Sequence, residues 1–163
     1  MAVKLLLSGL SNAGKTTLLA SLEDAFVISH DGKNFPFPIP HTNVAEFNSS
    51  GELIKLITEK VQLYKSRNNK LPSTVAIDSV SKIFDTLYDI CNVKHSGFKI
   101  YSELNKEIHE FTDYIQNVLI ENGINVVLLS HATYDGETSQ YNLVGKGDFQ
   151  KRGGLPYKRP IAA

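Results

Sequence analysis

A glycine-spaced loop near the N-terminus carries residue types that suit phosphate binding, in the pattern Gly9-x-x-x-x-Gly14-Lys15-Thr16. This is the complete Walker A pattern. Glycines let the backbone take positive φ and approach a phosphate closely, so that successive N–H groups form a nest for an anion. A lysine here reaches β- and γ-phosphates, and the threonine hydroxyl can bind Mg²⁺. We predict that the whole loop binds phosphate: Gly9, Leu10, Ser11, Asn12, Ala13, Gly14, Lys15, Thr16 and Thr17.

A carboxylate that could share this metal follows the apolar run 74–77. Asp78 ends that run in the Walker B manner, which predicts that Asp78 and Thr16 hold Mg²⁺, either directly or through water. Many strands end in aspartate, so the prediction depends on the Walker A loop elsewhere in the chain. The alternative for the loop itself, a glycine-rich turn with a surface lysine, is disfavoured because the loop lies between a predicted strand and a predicted helix.

Apolar runs alternate with helical spacings along the chain. Strands are predicted at 3–8, 26–29, 44–47, 74–77 and 124–129, and helices at 15–22, 52–64, from Ser79 or Ser81 to about Asn92, and 101–122. An irregular loop with three prolines is predicted at 31–42, and a hairpin turning at Asp135-Gly136 at 133–144. This order predicts an α/β fold with a mainly parallel, doubly wound sheet and helices on both faces.

Bulk composition narrows the class of protein. The chain has 163 residues with no formal net charge, which fits one soluble domain. Its single cysteine, Cys91, cannot form an internal disulfide and is predicted to be buried. No apolar stretch approaches the roughly 18 residues of a membrane span. We therefore expect a cytoplasmic protein without a membrane partner, organised as a nucleotide-binding core at 1–144 and a basic, glycine-rich tail at 145–163.

Four segments carry a resemblance to a known family. Asp78-Ser79-Val80 resembles the RecA-type Walker B, and Val126-Val127-Leu128-Leu129-Ser130-His131 resembles the RecA-type strand whose polar end senses the γ-phosphate. Together with Tyr101-x-x-Leu104-Asn105 and Gly145-Lys146-Gly147-x-Phe149-x-Lys151-Arg152-Gly153-Gly154, these segments resemble the phage RecA-like nucleotide-binding proteins, including the Sak-type single-strand annealing recombinases. The resemblance covers most of the chain.

The resemblance implies a RecA-like P-loop NTPase fold, ATP with Mg²⁺ as ligands, and a slow ATPase acting in DNA recombination or single-strand annealing. It also implies single-stranded DNA and further copies of the chain as partners, and the host cytoplasm as the location if the gene is carried by a phage. The sequence contains no adenine-specific motif, so ATP rather than another nucleotide depends on the resemblance alone.

Two further residues gain candidate roles from the resemblance. RecA-like folds place a catalytic glutamate after the second strand, where this chain has Asp31, one methylene shorter and less able to position water. The alternatives are that Asp31 is only a turn residue before Gly32, or that Glu46 is the base. His131 ends the most apolar strand, where α/β sheets bind ligands, and is the candidate γ-phosphate sensor. A histidine that only caps the strand end is its alternative.

The predicted tail is basic. Five cations, Lys146, Lys151, Arg152, Lys158 and Arg159, face one acid, Asp148, which leaves a net charge of +4 in 145–163. Lys146, Lys151 and Arg152 are the candidates for contacts with DNA phosphates or with a neighbour's nucleotide site. A solvated tail is the alternative. RecA-like cores usually continue into another apolar strand here, so either the chain is truncated or its sheet is one strand short.

The alternative functions are a small-molecule kinase, a GTPase and a nucleotide-binding module. A small-molecule kinase usually clamps phosphates with several arginines, and the chain has three, at Arg67, Arg152 and Arg159, none of them near a predicted acceptor pocket. A GTPase is disfavoured because the chain has neither an Asn-Lys-x-Asp motif nor an Asp-x-x-Gly at the Walker B strand. A binding module that holds nucleotide with little turnover stays open because of Asp31.

Overall fold

A central sheet organises the part of the chain that the computed structural model describes, residues 1–32, 34–44, 46–144 and 146. Its strands are β1 (Lys4–Gly9), β2 (Ala25–Ser29), β3 (His41–Asn43), β4 (Thr74–Asp78), β5 (Asn125–Asp135) and β6 (Gln140–Leu143). The order is β1-β5-β4-β2-β3 with parallel pairing throughout, and β6 pairs antiparallel with the end of β5. The predicted α/β fold with a mainly parallel sheet is confirmed.

Four helices of the described ranges flank the sheet: α1 (Lys15–Leu19), α2 (Ser50–Asn68), α3 (Val80–Lys94) and α4 (Phe98–Tyr114), which continues as the π-helical segment Ile115–Ile120. The side chain of Ser49 caps α2 by accepting a hydrogen bond from the Glu52 N–H at 3.1 Å. The side chain of Ser79 caps α3 in the same way. Ser81 is therefore not the cap, and its hydroxyl instead donates a hydrogen bond to the Val144 carbonyl.

The two faces of the sheet are covered unequally. Alternate strand residues point to opposite faces. Phe26, Ile28 and Ile77 belong to the larger core, which they share with α2, α3 and α4. Val27 and Ala76 belong to a smaller cluster with Leu19 of α1. The thinly covered face leaves room beside the Walker A loop.

One predicted strand is wrong in position. The sequence placed a strand at 44–47, whereas β3 is the polar segment His41–Asn43. Val44 and Phe47 are buried, at 3% and 4% exposure, because they fill the core beneath α2. An edge strand needs only backbone pairing with its neighbour, so its position is not marked by apolar side chains.

Other differences are at the ends of elements. Helix α1 ends at Leu19, three residues early, because the next amides bond to the carbonyl three residues back. The hairpin is present, but four residues separate Asp135 from Gln140 instead of a two-residue turn. The Asp135 carboxylate shapes this turn by accepting hydrogen bonds from the Glu137 and Thr138 N–H groups. Cys91 is buried as predicted, and burial raises its pKa.

None of the helices in the described ranges combines the length and apolarity that crossing a bilayer requires.

Asp24, just before β2, joins three segments of the chain. Its carboxylate accepts hydrogen bonds from the Tyr64 hydroxyl at 2.7 Å, from the Ser73 hydroxyl at 2.7 Å and from the Lys70 ammonium at 3.0 Å. These bonds, that of Tyr64 first, hold the Asp24 pKa well below its ordinary value. Burial, together with the hydrogen bond to Asp24, raises the pKa of Tyr64 to about 12.

We expect Asp24→Asn to remove part of the acid sensitivity of the fold. A depressed carboxyl pKa stabilises the protein above the unfolded-state pKa of about 4, and this contribution is lost as the pH falls further. Urea titrations of the variant should give a free energy of unfolding lower by roughly 1–3 kcal/mol at neutral pH, with a smaller difference at about pH 2. Asp89→Asn, at an exposed position of α3, is the control. An equal loss at both pH values would contradict this role for Asp24.

Candidate nucleotide-binding site

Three adjacent strands bring the predicted residues to one edge of the sheet. Strand β5 lies between β1 and β4, and the register pairs Gly9 with His131 and Asp78 with Leu129. Because the strands are parallel, their carboxyl ends meet at the same edge. The Walker A loop, His131 and Asp78 therefore face one space, although they lie far apart in the sequence.

The Walker A loop has the conformation that its small residues predict. Asn12 and Gly14 both have positive φ, 63° and 81°. An added Cβ at Gly9 would meet only ordinary contacts, so the backbone demands glycine at position 14 rather than at position 9. The Lys15 ammonium donates to the carbonyls of Gly9 at 2.7 Å and Leu10 at 2.6 Å. These bonds hold the cation beside the loop.

Two oxygen ligands suited to Mg²⁺ lie together next to this loop. The Thr16 hydroxyl donates to a carboxylate oxygen of Asp78 at 3.3 Å, and Asp78 is buried at 3% exposure. No group of three or more histidine, cysteine or acidic residues suited to a metal occurs in the described part of the chain. Mg²⁺ commonly binds through one or two protein oxygens, with water and phosphate completing its shell. The pair therefore fits Mg²⁺ held together with a nucleotide.

A cavity of about 410 Å³ joins these groups. Its described lining comprises residues 11–17, Asp78, His131 and a wall made of Asn34, Phe35 and Pro36. The sequence predicted only an irregular loop for this wall, so its place in the site was missed. Three prolines mark a loop of fixed shape, but nothing in the pattern says which cavity the loop lines. Phe35 is held by an edge contact with His41, with ring centroids 4.8 Å apart.

His131 connects the cavity to the hairpin through buried hydroxyls. Its N–H donates to the Ser81 hydroxyl at 3.1 Å, and that hydroxyl donates to the Val144 carbonyl at 2.8 Å. The Val144 N–H in turn donates to the His131 carbonyl at 2.9 Å. Ser130, fully buried, lies within 3.3 Å of the Ser81 hydroxyl. Ser81 and Ser130 were missed as site residues because buried serines are not distinguishable from capping serines in a sequence.

The two candidate bases lie outside the described lining of the cavity. Asp31 is half-buried after β2, and Glu46 is exposed. His30, which the sequence gave no special role, has a structural one. Its ring bonds to the Val44 carbonyl at 2.6 Å and the Thr86 hydroxyl at 2.8 Å.

Lys146, the one cation of the predicted tail that is described, lies against α3. Its ammonium is 5.0 Å from the centre of the Tyr88 ring. Burial raises the pKa of Asp85, and the positive charge of Lys146 partly offsets that rise. Lys146 is thus in contact with its own chain near the His131 strand end. Lys151 and Arg152 lie outside the described residues.

Fold and site together define a P-loop nucleotide-binding domain. A family model described as an AAA domain matches residues 1–146, and the chain therefore belongs to the AAA domain family. Domains of this family generally bind a nucleotide with Mg²⁺. No curated protein matches the chain at a significant level.

Proposed function

We propose that this chain is a RecA-like, Mg²⁺- and ATP-binding protein of phage type that serves DNA recombination or single-strand annealing by binding single-stranded DNA. One observation carries the proposal: a single cavity joins the Walker A loop, Asp78 and His131, and the His131 backbone is bonded to the hairpin. The phage assignment and the Sak-type activity depend on the sequence resemblance.

In this proposal each group around the cavity has one task. The amides of the Walker A loop and the Lys15 ammonium bind phosphate, which they suit by backbone conformation and charge. Thr16 and Asp78 supply the protein oxygens for Mg²⁺. When bound, the metal neutralises phosphate charge. The neutral wall at 34–36 closes one side of the cavity and limits access of water.

His131 is proposed to report the γ-phosphate to the DNA-binding parts. His131 lines the cavity, and its backbone N–H shares the Ser81 hydroxyl with the Val144 carbonyl at the end of the hairpin. A shift of His131 toward phosphate therefore pulls on bonds that hold residue 144, the residue before the basic region. The cations Lys146, Lys151 and Arg152 are proposed to contact DNA phosphates or a neighbouring copy in a homo-oligomer.

A nucleotide-holding module with little turnover is the second candidate. Among the described residues that line the cavity, Asp78 is the only carboxylate, and it is proposed to be engaged with metal. Asp31, the candidate base, lies outside the described lining of the cavity. We therefore expect ATP turnover to be slow, with binding rather than hydrolysis as the useful signal.

A gel-shift titration with oligothymidylate tests the proposal. We expect binding of single-stranded DNA that strengthens when ATP and Mg²⁺ are present. Apparent affinity should fall by about tenfold or more between about 50 and 200 mM salt, because a few phosphate contacts release counterions. Lys151→Ala/Arg152→Ala should weaken binding, and Lys99→Ala, at an exposed position of α4, is the control. A protein that ignores DNA at low salt but binds ATP would favour the module.

A further inference from the structure

A second groove lies away from the nucleotide site, between the sheet edge and α2. It has a volume of about 320 Å³ and a floor formed by Phe26 and Tyr64, both nearly buried. Its walls are His41 and Thr42 of β3 on one side and Lys60, Leu63 and Arg67 of α2 on the other. The described lining contains no carboxylate, so the groove is basic.

The backbone of β3 has hydrogen-bonding groups that point away from the sheet. The ladder to β2 uses the Pro40 carbonyl, which accepts from the Val27 N–H, and the Val44 N–H, which donates to the Ser29 carbonyl. Bonding alternates along a strand, so His41 and Asn43 direct their N–H and C=O groups outward. Within the described part of the chain β3 is the last strand at this edge.

The side chains around this edge select for acidic partners. Thr42 is in register with Ile28, whose side chain belongs to the core face under α2, so Thr42 points toward that helix. A strand added beside β3 places every second side chain on the same side, under Lys60, Leu63 and Arg67. No described carboxylate forms an ion pair with Lys60 or Arg67. Leu63 is 44% exposed and offers an apolar contact between them.

The spacing of these three residues matches an extended chain. Lys60 and Arg67 are about 10 Å apart along the helix axis, with Leu63 between them. Residues i and i+4 of a strand are about 13 Å apart, and i+2 lies midway. A strand with acidic, apolar and acidic residues at positions i, i+2 and i+4 therefore reaches Lys60, Leu63 and Arg67 in that order.

We propose that the open edge of β3 and the basic stripe Lys60–Leu63–Arg67 form a docking surface for an extended, acidic segment of a partner protein. The segment pairs its backbone with His41 and Asn43 and adds a strand to the sheet. Its acidic side chains contact Lys60 and Arg67. This surface is separate from the nucleotide cavity and does not depend on the function proposed for that site.

Fluorescence anisotropy with a labelled peptide tests the charge requirement. The probe is a peptide in which threonine occupies every second position, and glutamate, valine and glutamate occupy the positions between. Its control has lysine in place of each glutamate. We expect the acidic peptide to bind and the basic one not to bind. Lys60→Glu/Arg67→Glu should weaken binding at least tenfold, whereas Lys55→Glu/Lys65→Glu, exposed on the same helix outside the groove lining, should change it less than twofold.

Backbone pairing is tested with two peptides methylated on alternate amides. An added strand directs only every second N–H toward its neighbour, so one methylated peptide should lose binding and the other should retain it. Equal binding of both peptides would overturn strand addition. Failure of the acidic peptide to bind at all overturns the proposal. The proposal is also overturned if oligothymidylate binds this groove instead of the peptide, which a loss of oligothymidylate affinity in Lys60→Glu/Arg67→Glu would reveal.

Discussion

Lys15→Ala should bind ATP about 100-fold or more weakly than the unaltered protein, measured by titration with a fluorescent ATP analogue. The side chain supplies the one full positive charge of the Walker A loop, held beside it by bonds to the Gly9 and Leu10 carbonyls. Losing charge-assisted hydrogen bonds to phosphate costs about 3 kcal/mol, and each 1.4 kcal/mol is about tenfold in affinity. The effect should be on nucleotide affinity alone.

Lys99→Ala is the matched control, because it removes an exposed lysine from α4. Thermal unfolding of Lys15→Ala should stay close to that of the parent, since the lysine is at the loop rather than in the core. Unchanged ATP affinity in Lys15→Ala would falsify the phosphate role of the loop. A large loss of stability would instead show that the bonds to the Gly9 and Leu10 carbonyls hold the fold.

His131→Ala should abolish most of the effect of ATP on single-stranded DNA binding and leave ATP affinity within about threefold of the parent. His131 lines the cavity, and its backbone N–H is bonded through the Ser81 hydroxyl to the Val144 carbonyl. Removing the ring removes the proposed contact with the γ-phosphate, while the groups proposed to bind phosphate and metal, in the loop and at Asp78, are unchanged. The measurement is DNA affinity with ATP, with ADP and without nucleotide.

His131→Gln retains a hydrogen-bond donor and should restore part of the ATP effect. His95→Ala removes a histidine outside the described cavity lining and serves as the control. Ser81→Ala should resemble His131→Ala in DNA binding, because it breaks the link to Val144 without touching the cavity. A His131→Ala protein that still distinguishes ATP from ADP in DNA binding would remove the sensor from the proposal.

The sequence alone was sufficient to locate features that depend on residues close together in the chain. The Walker A loop is continuous, its lysine and threonine have fixed neighbours, and its glycine pattern specifies a backbone shape. Strands β2, β4 and β5 were found because buried strands of a parallel sheet are runs of apolar residues. β1 was found as an apolar run too, although it is only partly buried. The cap of α3 could be narrowed to Ser79 or Ser81, because a cap must precede its helix by a fixed number of residues.

The sequence did not predict the places of elements and side chains that depend on contacts with residues distant along the chain. β3 was misplaced because the polar segment His41–Asn43 is a strand only through pairing with β2. Asn34, Phe35 and Pro36 line the cavity only because the loop after β2 folds back across the sheet edge. Ser81 and Ser130 form a network only because α3 and β5 bring two buried hydroxyls within 3.3 Å.

By itself the sequence determined a Walker A pattern, a carboxylate after an apolar strand and the α/β order of elements, because each depends on residues that are adjacent or periodic. Only the tertiary structure decided which strand lies between β1 and β4, and hence that His131 faces the same cavity as Lys15 and Asp78. It also left Asp31 and Glu46 outside the described lining of that cavity. Strand order is fixed by long-range packing, which a local pattern does not encode.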